Sequence, residues 1–222
     1  MFLAHFGIGF GAKAAAPKIS LGTLFLAAQF IDLLWPTLLL LGIERVNILA
    51  DGTRHPPLDF THYPYSHSLL AVIVWAALFA AAYYAIRRSR IGAVVLGLAV
   101  VSHWLLDLLV HYPDLPLYPP VPNIGDSPVF GFALWSSPMV ALALEFAIFA
   151  LGMWLYLRST RALNATGNRA LWALVALLVA INLGNAFGAP PPSVAALAWV
   201  GQAQWVFVAW GYWIDRHRSS QF

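Results

Sequence analysis

The chain is a succession of apolar runs, most of them about as long as a bilayer is thick, divided by short clusters of Pro, Gly and charge. Crossing about 30 Å of hydrocarbon takes about 20 helical residues. Lipid offers nothing to bond backbone N–H and C=O groups, so a lone apolar segment satisfies them as a helix. The runs near residues 1–16, 20–42, 66–86, 91–111, 131–158, 169–188 and 194–214 are rich in Leu and Ala and predict helices. Only 9% of the residues are charged, against roughly 25% in a soluble globule. Such a chain cannot cover itself with a water-facing surface. The expected fold is therefore all-α, a polytopic transmembrane bundle of about six or seven membrane helices, forming a single integral membrane domain over residues 1–222. The run 1–16 is short for a crossing and reads as a partial insertion. It lacks the basic n-region of a signal peptide, so it is expected to remain in the mature protein.

Charge placement predicts the orientation. Lys13, Lys18, Arg87, Arg88, Arg90, Arg158, Arg161, Arg169, Arg216 and Arg218 fall in alternate turns and the tail, leaving Arg45 and Arg54 for the other side. By the positive-inside rule the first set is cytoplasmic. The loops 43–65 and 112–130 and the turn 189–193 then lie outside, in a multi-pass protein of the inner (plasma) membrane with a cytoplasmic C-terminus. Both long loops are rich in proline and carry the acids Glu44, Asp51, Asp59, Asp114 and Asp126. The basic clusters account for the high pI as a topology signal, so no nucleic-acid partner is expected; the partner is the lipid bilayer itself. No internal repeat marks an inverted-repeat transporter.

The chemistry lies in ionisable residues inside apolar runs: His5, Asp32, His103, Asp107 and Glu145. An intramembrane charge costs about 2.5–3.5 kcal/mol on insertion scales, so it is retained with partners. His103, Asp107 and His111 stand four residues apart and share one helix face. His103 lies about 12 Å deeper than His111 on that face. His62 and His67 stand at the outer mouth of the third run. All these groups fall in the outer half of the bundle, where one wet pocket can hold them. With no cysteine in the chain, imidazoles and carboxylates suit zinc or a similar divalent ion. Such an ion makes hydroxide available near neutral pH.

A His-then-Gly start (His5, Gly9), an acid in the second helix (Asp32), H-x4-H-S at 62–68 and S-H-x3-D at 102–107 together carry a family pattern. Over residues 1–112 the chain resembles the YdjM-like family of inner-membrane-associated metal-dependent hydrolases. That family is distantly similar to zinc-dependent phospholipases C and single-strand nucleases, all-helical enzymes that cleave phosphoesters with clustered zinc. The resemblance implies that His5, Asp32, His62 or His67, His103 and Asp107 are metal ligands for one or two ions. It makes Asp32 and Asp107 the catalytic carboxylates, with Asp107 a bridge between ions. It also implies a lipid or lipid-linked phosphoester as substrate. The chain departs from the family at Tyr63, where an arginine is usual, and at Leu34, where a second acid is usual. Ala141 occupies the position of the soluble relatives' later histidine, four residues before Glu145.

Beside that reading stand plainer ones. His103 and Asp107 can be a packing pair, His111 an outer-sphere residue, and Glu145 a partner of Asn182 or Asn185 or a second-sphere group at the site. His55 and His217 read as loop and tail residues, and residues 113–222 as the part that completes the bundle. A metal-ion or proton transporter needs polar residues through the cytoplasmic half, yet 80–85, 94–101 and 149–156 are nearly all apolar. A non-catalytic membrane protein with a structural metal is the other alternative.

Overall fold

A computed structural model describes residues 1–49, 52, 54–120 and 126–221, so Asp51 lies outside the described residues. In chain order the elements are α1 (Leu3–Ala15), α2 (Leu21–Ala28), α3 (Phe30–Leu40), β1 (Arg45–Ile48), β2 (Leu58–His62), α4 (Pro64–His67), α5 (Leu69–Arg87) and α6 (Arg90–Val110). There follow β3 (Leu115–Pro116), β4 (Val129–Phe130), α7 (Pro138–Ser159), β5 (Thr160–Ala162), α8 (Ala165–Phe187), α9 (Val194–Gln202), α10 (Gln204–Arg216) and β6 (Arg218–Ser220). The chain is mostly helical. Among the described residues α5, α6, α7, α8 and the α9–α10 run are each long and apolar enough to cross a membrane, and the bent α2–α3 pair makes a sixth. Large apolar side chains point outward along these helices: Leu98 is 63% exposed, Ile91 72% and Val200 71%. That is the surface lipid requires and water forbids.

Two expected helices take a different form. The run 20–42 is not one helix; it bends by 57° between α2 and α3. The break falls at Gln29, which is buried and has nonhelical backbone angles. The nearest helix breaker, Pro36, lies inside α3, seven residues on, so nothing local in the sequence marks the bend. The run 1–16 forms a 13-residue helix, about 20 Å long and too short to cross. This half-length α1 is nevertheless deeply buried, with Leu3, Ala4, Phe6 and Phe10 all inaccessible. It packs on α7 through Gly7 and Gly152. A Cβ on Gly7 would stand 2.8 Å from the Cα of Phe149, so only glycine lets the two backbones approach this closely.

The two ends of the bundle differ. At one end Lys13 Nζ donates to the Ile19 carbonyl (2.7 Å) and to Asp215 Oδ1 (2.9 Å). The Ser220 hydroxyl donates to the Pro17 carbonyl, and β5 pairs antiparallel with β6. The basic turns 13–18 and 158–169 and the basic tail thus gather at one end. The opposite end carries the β1–β2 and β3–β4 ribbons. Between them, on the side of the basic end, lies a core of Phe6, Phe10, Phe25, Phe149, Tyr156 and Leu171. Its rings meet edge to face, Phe10 on Phe25 at 4.8 Å and Phe10 on Tyr156 at 5.1 Å between centroids.

Candidate metal centre

Four elements bring the polar residues together where the α2–α3 span breaks. Asp32 lies in the first turn of α3, His67 ends the one-turn α4, His103 and Asp107 stand one turn apart on α6, and His5 comes from α1. His103 Nε2 is 3.2 Å from Asp107 Oδ2 and 3.5 Å from Asp32 Oδ1. His67 Nε2 is 3.7 Å from the same Asp32 oxygen and 3.9 Å from the same Asp107 oxygen. His5 Nε2 is 3.2 Å from the other Asp107 oxygen, Oδ1. The α-amino group of Met1 also donates to Oδ1. Atoms bound tetrahedrally to one zinc at about 2.0–2.1 Å stand about 3.3 Å from one another. The observed spacings are close to those edges. Two buried groups, His5–His103–Asp107 and Asp32–His67–His103, therefore have the composition and spacing to hold a metal ion.

Hydrogen bonds on the far side of each ring decide which nitrogen faces inward. His103 Nδ1 lies 3.1 Å from the Ala28 carbonyl, a helix-end group at the α2–α3 break. A carbonyl only accepts, so Nδ1 carries a proton there and Nε2 is the nitrogen turned toward the carboxylates. That Nε2 is buried, faces two carboxylates, and has hydrogen-bond geometry to neither. Two carboxylates converging on one imidazole need positive charge between them, either a second proton on the ring or a metal ion. For His67 the relay is longer. Its Nδ1 is 2.7 Å from Ser66 Oγ, which donates to Glu44 Oε2 at 2.6 Å. Glu44 also accepts from the backbone N–H groups of Tyr65 and Ser66, which pins α4. Imidazoles oriented by carbonyl or carboxylate partners are what a metal site needs around its ligands. The rings of His5 and His103 stack at 3.7 Å and 5°, a contact that disfavours charge on both.

The remaining sequence candidates fall elsewhere. His62 sits on β2, with its ring 6.0 Å from that of Tyr65, and is not part of either group. Of the pair His62 and His67, the fold brings His67 to the cluster, because α4 turns back into the bundle while β2 runs along the end opposite the basic turns. His111 is buried just past α6, with Nδ1 2.9 Å from Asp114 Oδ1. Tyr63, in the same outer loop region, donates to that oxygen at 2.8 Å, and burial together with the Asp114 carboxylate holds the phenol well above its usual pKa. Glu145 is no partner of the asparagines. Its Oε2 accepts from the N–H groups of Phe2, Leu3 and Ala4, so it anchors the start of α1 and with it His5. Sequence reasoning missed Glu44, Ser66 and Ala28. The first looked like one loop acid among several, and a backbone carbonyl has no signature.

A cavity of about 330 Å³ adjoins the cluster, within the range of small-ligand pockets. Asp32, His67, Asp107 and His111 line its floor, Trp35, Phe60 and Trp135 its sides, and His55 and Pro57 its outer rim. His55 is thus more than a plain loop residue: it stands at the mouth, and partial burial lowers its pKa. His217 meets Asn164 at the opposite end, 3.2 Å between Nδ1 and Nδ2. No family model matches this chain, and no curated protein or solved structure matches it either.

Proposed function

We propose that the chain is a membrane-bound, metal-dependent hydrolase of a phosphoester in a lipid or lipid-linked substrate. The observation that carries this reading is the buried Nε2 of His103, aimed at two carboxylates with no hydrogen bond between them. Two acids facing three imidazoles favour a divalent cation over a structural hydrogen-bond network. Bound there, a zinc-like ion would lower the pKa of a coordinated water to about 7 and make hydroxide available. Asp32, His67 and His103 would hold one ion. Asp107 would join that site through Oδ2, and a second ion at Oδ1 and His5 would have to displace the Met1 α-amino group. The resemblance to the YdjM-like family supports the same ligand set and the phosphoester class. The cavity beside the cluster supplies room for the substrate's polar group, and the surrounding lipid supplies the substrate.

The basic end of the bundle is read as cytoplasmic under the positive-inside rule, which opens the cavity on the extracytoplasmic side of the inner membrane. A transporter would require a polar path onward from the cluster. The helices instead close beyond His5 on Phe6, Phe10, Phe25 and Tyr156, which argues for a site that opens on one side. Purified protein supplied with zinc is expected to release a headgroup or phosphate from membrane lipids, and Asp107→Asn to abolish the release. Equal release by the two proteins, or none by either, defeats the enzyme reading; bound zinc without turnover would leave the ion a structural role.

A further inference from the structure

One wall of the cavity carries a polar group that the cluster does not use. Asn182 is 3% exposed and lines the cavity, and its Nδ2 has no hydrogen-bond partner. It stands five residues inside the outer end of α8, about 7.5 Å. By the same measure Asp107 lies about 4.5 Å and Asp32 about 12 Å inside their own helix ends. The amide and the cluster residues Asp32 and Asp107 line the same cavity. Glu145, the nearest candidate acceptor by sequence, spends its Oε2 on the first turn of α1. An amide donor left without a partner in a membrane bundle is costly, and an amide tied to nothing can turn either end toward the cavity. A neutral amide has little affinity for a metal ion. It suits an oxygen of the ligand.

The route to this wall is also visible. α7 and α8 are tied together at the basic end by β5. Farther out the cavity lies between them, with Leu142 on one side and Gly184 and Ala186 on the other. A Cβ added to Gly184 would meet nothing within 4 Å. Both flanking helices have the length and composition to span a membrane, so a gap between them faces the acyl region of the bilayer. An amphipathic molecule can enter there sideways with its chains still in lipid, where a water-soluble ligand would come through the loops.

We propose that Asn182 is a ligand-binding residue for a diacyl glycerophospholipid entering between α7 and α8, donating its amide N–H to an ester carbonyl or phosphoryl oxygen beside the cluster. This rests on the lipid-phosphoester reading of the cavity and specifies how the lipid is held. The test uses the full chain in detergent, kept metal-free so that nothing turns over, titrated calorimetrically with dihexanoylphosphatidylglycerol and with its dialkyl ether analogue. Asn182→Leu removes the amide at similar volume and fills no space the lipid needs; its binding is expected to weaken at least fivefold. Gly184→Leu fills the gap and is expected to weaken binding at least tenfold. Both variants should keep the wild-type zinc content when metal is restored, which a misfolded protein would not. A loss in Asn182→Leu confined to the ester lipid identifies a carbonyl as the acceptor; an equal loss for both lipids identifies the phosphoryl group. Unchanged binding in Asn182→Leu overturns the assignment, as does a wild type that binds neither lipid. Lipid bound through Asn182 but never cleaved would sink the hydrolase reading alone, while cleavage indifferent to Asn182 would sink this inference alone.

Discussion

The outer and inner halves of the bundle use buried polar groups in opposite ways. At the basic end the buried charges are closed on themselves: Lys13 is held by Asp215 and the Ile19 carbonyl. Arg218 is spent on Thr160 Oγ1 and on the face of the Tyr156 ring. In the outer half, two carboxylates and three imidazoles converge around the α2–α3 break, with the Met1 α-amino group bound to one Asp107 oxygen. Structural ion pairs are satisfied pairwise. A site for a cation is under-satisfied by design of its donors, and the outer half has that character.

Breaking the inner half should cost stability and leave the metal alone. Phe10 has no exposed surface and touches Phe25, Phe149 and Tyr156. Phe10→Ala is expected to destabilise the bundle by about 3–5 kcal/mol, read as a fall in the thermal midpoint, with zinc bound per folded chain unchanged. Metal lost in proportion to that destabilisation would mean the halves are not separable.

The outer half is tested at Asp107. Asp107→Asn keeps the shape and removes the anion that faces His5 on one oxygen and His67 and His103 on the other. Zinc affinity is expected to fall by more than about 100-fold, since even a group behind a ligand is worth about 10–100-fold. The metal-free variant should melt below the wild type, because the buried Met1 α-amino group loses the carboxylate it is paired with. Unchanged zinc affinity in Asp107→Asn would instead mark His103–Asp107 as a packing pair.

Ser66 measures how much the surroundings of a ligand matter. Ser66→Ala cuts the link between Glu44 and His67 Nδ1 while leaving every donor in place. Zinc affinity should fall about 10–100-fold, and a titration of metal against a competing chelator would read it. An unchanged affinity would show that α4 is fixed by the backbone bonds to Glu44 alone.

These residues also show what was legible in the sequence. The spans could be read because lipid leaves a chain few choices, and a 20-residue apolar run declares itself. The cluster could be read in outline because Asp32, His103 and Asp107 are anomalies in such runs, and spacing by four fixes a shared helix face. The break at Gln29 could not: LAAQFID contains no proline or glycine, and the bend follows from what α2 and α3 pack against. The supports went unseen for a similar reason. Ala28 acts through its carbonyl, and Glu44 sits in a loop whose fold no periodicity encodes. Asn182 did stand out as polar in an apolar helix, but the pairing with Glu145 that spacing allowed is pre-empted by the N–H groups of Phe2, Leu3 and Ala4.

The smallest expected effect tests the sharpest distinction. His62 and His67 lie in one six-residue motif and are equivalent as sequence, each an imidazole at the outer mouth. The fold separates them. His62 ends a strand paired with Arg45, half-buried against Tyr65. Tyr63 and Pro64 then turn the chain inward, and His67 arrives 5% exposed within 3.9 Å of both carboxylates. His62→Ala should therefore change zinc affinity by less than about twofold and stability by less than about 0.5 kcal/mol, as for an ordinary surface position. His67→Ala should match the loss at Asp107. If His62→Ala released the metal instead, the outer ribbon would have to fold down onto the cluster when the ion binds, and the boundary between the rim and the floor of the cavity would move.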